Sequence, residues 1–295
     1  MSRRTRGTEG GMRLAEIESD SMAQRLAEVV TRRVGLRSAD ALRKVASSLA
    51  RVEDACRLGY VQRMIAASPC DRDWIDLVER MLVHETYFFR HAAQIELLRD
   101  DILPRLDAER REDGRPQLVV WIAGCSTGEE AWTLAFLAQQ ARHALGSGDV
   151  VPVSILATDL SETSVATARC GVYDRLHGLD SFRAIPPWAA PYFGPGRDTS
   201  NTWVVPDALR GSVRFLRHNV LDSAPISGAD LVLCRNLLIY FDEAANQRAQ
   251  ENLVSALRPG GVLVLGPADA PRTKAELRPI ATESATVYLK PAAAQ

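Results

Sequence analysis

The chain has 295 residues, 46% of them apolar and 25% charged, and a formal net charge of −1. That composition excludes a disordered chain and leaves room for one large or two modest folded domains, while the near-neutral balance excludes a polyelectrolyte partner for the whole surface. No apolar run approaches the ~18 residues of a membrane-spanning helix, and the five scattered cysteines form no C-x-x-C pair, so neither a disulfide framework nor a zinc knuckle is supported. The expectation is a cytoplasmic protein with reduced thiols and no membrane insertion.

Residues 1–16 carry arginines but no apolar stretch, and are expected to form a flexible tail rather than a secretory signal. An all-α N-terminal domain is expected over 17–82. Met22, Leu26, Val29 and Val30 fall on one helical face, and Gly35 stands where a C-terminal cap belongs. Leu42, Val45, Leu49 and Val52 make a second stripe; Trp74, Leu77, Val78, Met81 and Leu82 make a third, with Asp71 and Asp73 as possible caps. Between Arg25 and Arg63 nine basic residues face four acids, a local charge of +5. Such a surface is either ordinary solvated helix or a docking face for an acidic partner.

Residues 83–117 read as a linker helix and a charged connection. From 118 to 292 the rhythm changes to short apolar runs alternating with helical stretches: "LVVWIAG", "SILATDL", "VRFLRHNV", "ADLVLCRN", "GGVLVLG" and "ATVYLK". Strands alternating with helices predict an α/β, Rossmann-like domain with a mostly parallel sheet covered on both faces. Its one irregular stretch, about 173–212, is too long for a plain connection and is expected to form a small inserted subdomain.

In such a sheet, ligands bind beyond the carboxyl ends of the strands. The first strand ends in "WIAGCSTGEE", with Gly124 and Gly128 giving room for close approach of a ligand to the backbone. Glu129 and Glu130 follow where a phosphate loop needs Lys and Ser/Thr, and the dinucleotide fingerprint is absent. The spot suits a neutral or cationic group. Asp159 closes the second strand, where an acid can take both ribose hydroxyls, each such bond contributing roughly 1.5–3 kcal/mol. Together these features describe S-adenosylmethionine better than NAD or ATP.

Five segments in order, "ETYFFR" (85–90), "AGCSTGEE" (123–130), "ATDLS" (157–161), "HNVLD" (218–222) and "CRNLLIYF" (234–241), resemble the CheR-type methyltransferases, which methylate glutamates of bacterial chemoreceptors. The resemblance runs from about residue 20 to residue 290. It implies a cytoplasmic, S-adenosylmethionine-dependent enzyme that forms γ-glutamyl methyl esters on acidic receptor helices, docked by the basic N-terminal domain. S-adenosylhomocysteine would be the product, no metal or nucleic acid would be involved, and a monomer is expected. Position by position, it implies cofactor contacts at His84, Thr86, Arg90, Gly124, Glu129, Asp159, Asn219, Val220, Arg235 and Asn236, with Thr86 and Arg90 on the linker helix. Arg90 and Tyr240 would lie nearest the transferable methyl. Arg90 could instead join the domains by a salt bridge, and Tyr240 could be a half-buried core aromatic. The chain departs from the family pattern at His84 (usually Asn), at His91 (usually an acid), at "GEEAW" (usually Pro-Tyr after the glutamates) and at "GPAD", 266–269 (usually Gly-His-Ser-Glu).

Other chemistries find less support. "HETYF" offers His84 and Glu85, but Phe88 occupies the second ligand position of an H-E-x-x-H zinc site; His143, His177 and His218 show no ligand spacing; Cys125 and Cys234 read as packing residues. "RNLLIY" stands where a base methyltransferase carries an Asn/Asp-Pro-Pro-aromatic loop. The alternatives that remain are the same fold with another protein or small-molecule acceptor, and a non-catalytic adenosylmethionine-binding module.

Overall fold

The computed structural model describes residues 21–115, 117–145, 152–174, 181–193, 202–273 and 275–292. The expected tail, His177, the side chain of His143 and parts of the insertion lie outside them. Two compact units emerge: residues up to Leu82 with Tyr240–Ala245, and Val83–Ile239 with the chain from Asn246 onward.

The first unit is helical. Helix α1 (21–34) buries Leu26, Val29 and Val30 and ends at Gly35, whose φ of 85° and N–H bond to the Thr31 carbonyl (2.8 Å) make the expected cap. In α2 (Ser38–Leu49) only the middle of the predicted stripe is core: Val45 and Leu49 are buried, Leu42 is 37% exposed, and the helix stops before Val52. Helix α3 (Asp54–Ala66) buries Val61 and Met64. Helix α4 (Arg72–Glu79) starts as expected at Asp71, whose carboxylate accepts the Asp73 N–H at 3.0 Å. Part of the basic surface is structural. Arg33, Lys44 and Arg57 donate to the carbonyls of Ala67, Met81 and Leu49, and Arg33 also lies over the Trp74 ring.

In the second unit the predicted linker helix forms only in part. Residues 82–90 are not helical, so Thr86 and Arg90 stand on an irregular segment instead of a helix. Phe89 (φ 56°) and His91 (φ 61°) are left-handed there, which no α-helix accommodates. Helix α5 (Ala92–Leu97) follows and runs through a π-turn, Leu98–Ile102, into α6 (Leu103–Glu112).

The sheet comprises β1 (Leu118–Ala123), β2 (Val153–Asp159), β5 (Val213–Arg217), β6 (Ala229–Cys234), β7 (Leu257–Leu265), β8 (Arg278–Ala281) and β9 (Thr286–Leu289), in the order β5-β2-β1-β6-β7-β9-β8. The first five pair in parallel, and β9 and β8 close the edge antiparallel. Helices α7 (Glu129–Leu145), α8 (Glu162–Cys170) and α11 (Glu243–Ala256) connect them. Trp121, Ile122, Val232 and Val264 are buried, as strands covered on both faces require. Strand order reverses at β1, which is flanked by β2 and β6, and this opens the crevice where ligands bind.

The insertion contributes β3 (Val172–Asp174) and β4 (Thr202–Val204), paired antiparallel, and the short helices α9 (Ala190–Phe193) and α10 (Asp207–Arg210). Its aromatics build a small core around Phe88, whose ring lies 5.1–5.2 Å from those of Tyr173, Phe182, Phe193 and Trp203. The sequence pattern "YFF" thus ties the irregular segment to the insertion.

Candidate active site

The end of β1 turns through Gly124 (φ 78°), Cys125 and Ser126 (φ 48°). A Cβ on Gly124 would come within 2.9 Å of Leu237, and one on Gly128 (φ 97°) within 2.8 Å of Ala168 and 3.1 Å of the Tyr173 hydroxyl. Both glycines are therefore required by packing and by their left-handed backbone.

Asp159 ends β2 facing this turn: Oδ2 accepts the Ser126 N–H at 2.8 Å and Oδ1 the Ser161 N–H at 2.9 Å. His84 is exposed; its Nδ1 lies 2.8 Å from Ser164 Oγ, and its carbonyl accepts from Ser126 Oγ at 3.3 Å. Thr86 is buried. The two glutamates after Gly128 differ in kind. Glu129 is 2% exposed and accepts the hydroxyls of Thr127 (2.7 Å) and Ser181 (2.8 Å), and burial raises its pKa above the usual carboxylate range. Glu130 forms an ion pair with Arg235, Oε2 to Nη1 2.8 Å.

Arg235, 1% exposed in its side chain, is the hinge of the site. Its Nη2 donates to the Arg90 carbonyl, and its Nε has no hydrogen-bond partner. Burial lowers its pKa from the usual guanidinium value, which Glu130 opposes. Arg90 Nη1 donates to the Glu85 carbonyl (2.9 Å), its guanidinium lies over Tyr87, and its buried Nε is likewise unpartnered. Asn236 (φ 59°) meets His91 Nε2 through Oδ1 at 2.9 Å. At the end of β5, Asn219 Oδ1 accepts the Leu221 N–H and Val220 is buried. Tyr240 is half-buried and belongs to the first unit, where its carbonyl accepts the Arg37 N–H at 3.1 Å.

The second unit thus gathers His84, Asp159, Glu129, Arg90, Arg235 and Asn236 around the ends of β1, β2 and β6. Sequence reading did not single out Ser126, Thr127, Ser181 or the pairing of Glu130. Doubled glutamates hint at the last; hydroxyl partners supplied from 52 residues away leave no local signal. The orphaned Nε of the buried Arg235 and an acid at the end of β2 fit a cofactor carrying a carboxylate and a ribose.

Fold and site define an S-adenosylmethionine-dependent methyltransferase. Residues 84–286 match the family described as "CheR methyltransferase, SAM binding domain". The chain is 34% identical over 201 residues to chemotaxis protein methyltransferase 1 of Pseudomonas aeruginosa, covering 66% of this chain and 69% of that one. It is 32% identical over 220 residues to chemotaxis protein methyltransferase Cher2 of Pseudomonas putida (72% and 75%) and 31% over 200 residues to the chemotaxis protein methyltransferase of Vibrio parahaemolyticus (66% and 68%). The chain belongs to the CheR methyltransferase family. Its cofactor is S-adenosylmethionine, and among the described residues no helix is long and apolar enough to cross a membrane.

Proposed function

We propose that the chain forms γ-glutamyl methyl esters on the cytoplasmic helices of chemoreceptors, releasing S-adenosylhomocysteine and using no metal. The observation that carries this reading is Arg90: a guanidinium fixed through its backbone by Arg235, with Nε free of any partner. A guanidinium fork matches a carboxylate in geometry and charge.

Bound adenosylmethionine supplies the methyl, a carboxylate oxygen displacing the sulfonium so that one C–S bond is exchanged for one C–O bond with no proton to remove. A glutamate of pKa about 4.3 is already ionised at neutral pH, so the site needs no general base. Its task is alignment, and holding reacting atoms ~3–3.5 Å apart can supply on the order of 7–11 kcal/mol. Arg90 orients the incoming carboxylate and Asp159 holds the ribose. The exposed Arg25, Arg32, Arg43, Arg51 and Arg63 of the first unit supply positive charge for an acidic helix.

The test incubates the protein and methyl-labelled cofactor with a purified receptor cytoplasmic fragment. Base-labile methanol released from that fragment supports the reading. Label recovered only on soluble proteins or small molecules would replace the acceptor while keeping the enzyme class.

A further inference from the structure

Residues 89–91 and 235–237 are clamped together. Phe89, His91 and Asn236 all have left-handed backbones, uncommon for residues other than glycine and costly above all for the bulky Phe89. Three ties hold the two segments together: Phe89 N–H to Thr133 Oγ1 at 3.1 Å, Arg235 Nη2 to the Arg90 carbonyl, and His91 Nε2 to Asn236 Oδ1 at 2.9 Å. Arg90 sits between the two left-handed residues, and Asn236 adjoins Arg235, so the third tie closes a ring through the Arg90 carbonyl and the Arg235 guanidinium. It is also the tie made through imidazole, the side chain that titrates near neutrality. If Nε2 carries the ring proton and donates to Oδ1, the Asn236 amide NH2 is turned away from His91 and is free to donate.

We propose that His91 is a positioning residue that, through Asn236, holds the Arg90 guanidinium and the Asn236 amide where the acceptor carboxylate arrives. The inference rests on carboxylate methylation as the reaction. Burial, and next the positive charge of Arg235, hold the His91 pKa below the usual imidazole value; Arg90 acts in the same sense, and the Asn236 hydrogen bond opposes them. The ring is therefore neutral at working pH. Its protonation in acid sets a third positive charge against Arg90 and Arg235 and disturbs the clamp, so turnover falls on the acid side.

The experiment compares wild type, His91→Ala and His91→Gln, measuring kcat and KM for methyl-ester formation across pH, with cofactor binding followed separately by equilibrium dialysis. His91→Ala is expected to lose tenfold or more in kcat at neutral pH, with cofactor affinity within about threefold of wild type. Glutamine places an amide nitrogen near the position of Nε2 but does not titrate. His91→Gln is expected to restore most of the lost kcat and to lack the acid limb that wild type shows. Wild-type kcat in the alanine variant, or an unchanged acid limb in the glutamine variant, overturns the positioning role alone. A wild-type protein that binds cofactor yet forms no methyl ester at any pH overturns the carboxylate reading and this inference with it.

Discussion

At the scale of single residues, Glu129 shows how burial sets a charge. With 2% of its surface exposed, its carboxyl holds its proton more tightly in the fold than in the unfolded chain, because burial outweighs the opposing hydrogen bonds from Thr127 and Ser181. Stability from this source is present below the ordinary glutamate pKa of about 4.3 and is lost as pH rises through the raised value. In Glu129→Gln the titration is gone. Without cofactor, the variant should therefore gain stability relative to wild type as pH rises towards neutrality, read from urea midpoints at a series of pH values. An unchanged difference at all pH values would show that Glu129 is not the titrating group. Gly128 makes a second case. At φ 97°, with Ala168 2.8 Å from the position of a new Cβ, Gly128→Ala should destabilise the fold by about 1–3 kcal/mol, seen as a lower Tm. A variant as stable as wild type would mean that α8 yields at no cost.

At the scale of elements, α6 is fastened to the sheet by a buried charge cluster. Asp230, at the start of β6 and fully buried, accepts Arg110 Nε (2.6 Å) and Arg258 Nε (2.6 Å) on one oxygen and the Val119 N–H (2.7 Å) on the other; Arg258 also reaches Glu109 at 2.6 Å. Asp230→Ala leaves two guanidiniums without their carboxylate and should cost about 3–5 kcal/mol, measured by denaturant unfolding. A loss below 1 kcal/mol would show that the arginines find other partners. This cluster was invisible in the sequence, because its members lie up to 149 residues apart. The parallel strands were legible, since continuous apolar runs such as "LVVWIA" follow from burial on both faces. The edge strand β8 was not: Arg278-Pro279-Ile280-Ala281 has neither alternation nor a continuous run, and proline is tolerated there because the strand stands at the sheet edge. Likewise Arg90 was legible as a residue type within "ETYFFR", but its non-helical setting was not. That setting arises from ties to Thr133, Arg235 and Asn236, all distant in sequence.

For the whole molecule, the proposed function gives chemistry to the second unit and docking to the first. Arg25, Arg32, Arg43, Arg51 and Arg63 of the first unit are among its exposed arginines, and a docking role makes their effect depend on salt, because exposed charges are screened over about 10 Å at 0.1 M. Replacing Arg32 and Arg51 together by glutamate should lower kcat/KM for a receptor fragment at low salt by tenfold or more. It should also flatten the salt dependence while leaving cofactor affinity unchanged. A variant with wild-type salt dependence would place docking elsewhere on the surface.

The central claim is that a chemoreceptor carboxylate is methylated beside Arg90. Its most direct test is to incubate the protein with methyl-tritiated adenosylmethionine and membranes bearing receptors, then count volatile methanol released by base from the receptor band. The account predicts counts in the receptor band that vanish with Arg90→Ala while Glu130 and Arg235 remain in place. Undiminished counts with that variant, or none with wild-type protein that binds the cofactor, would contradict it.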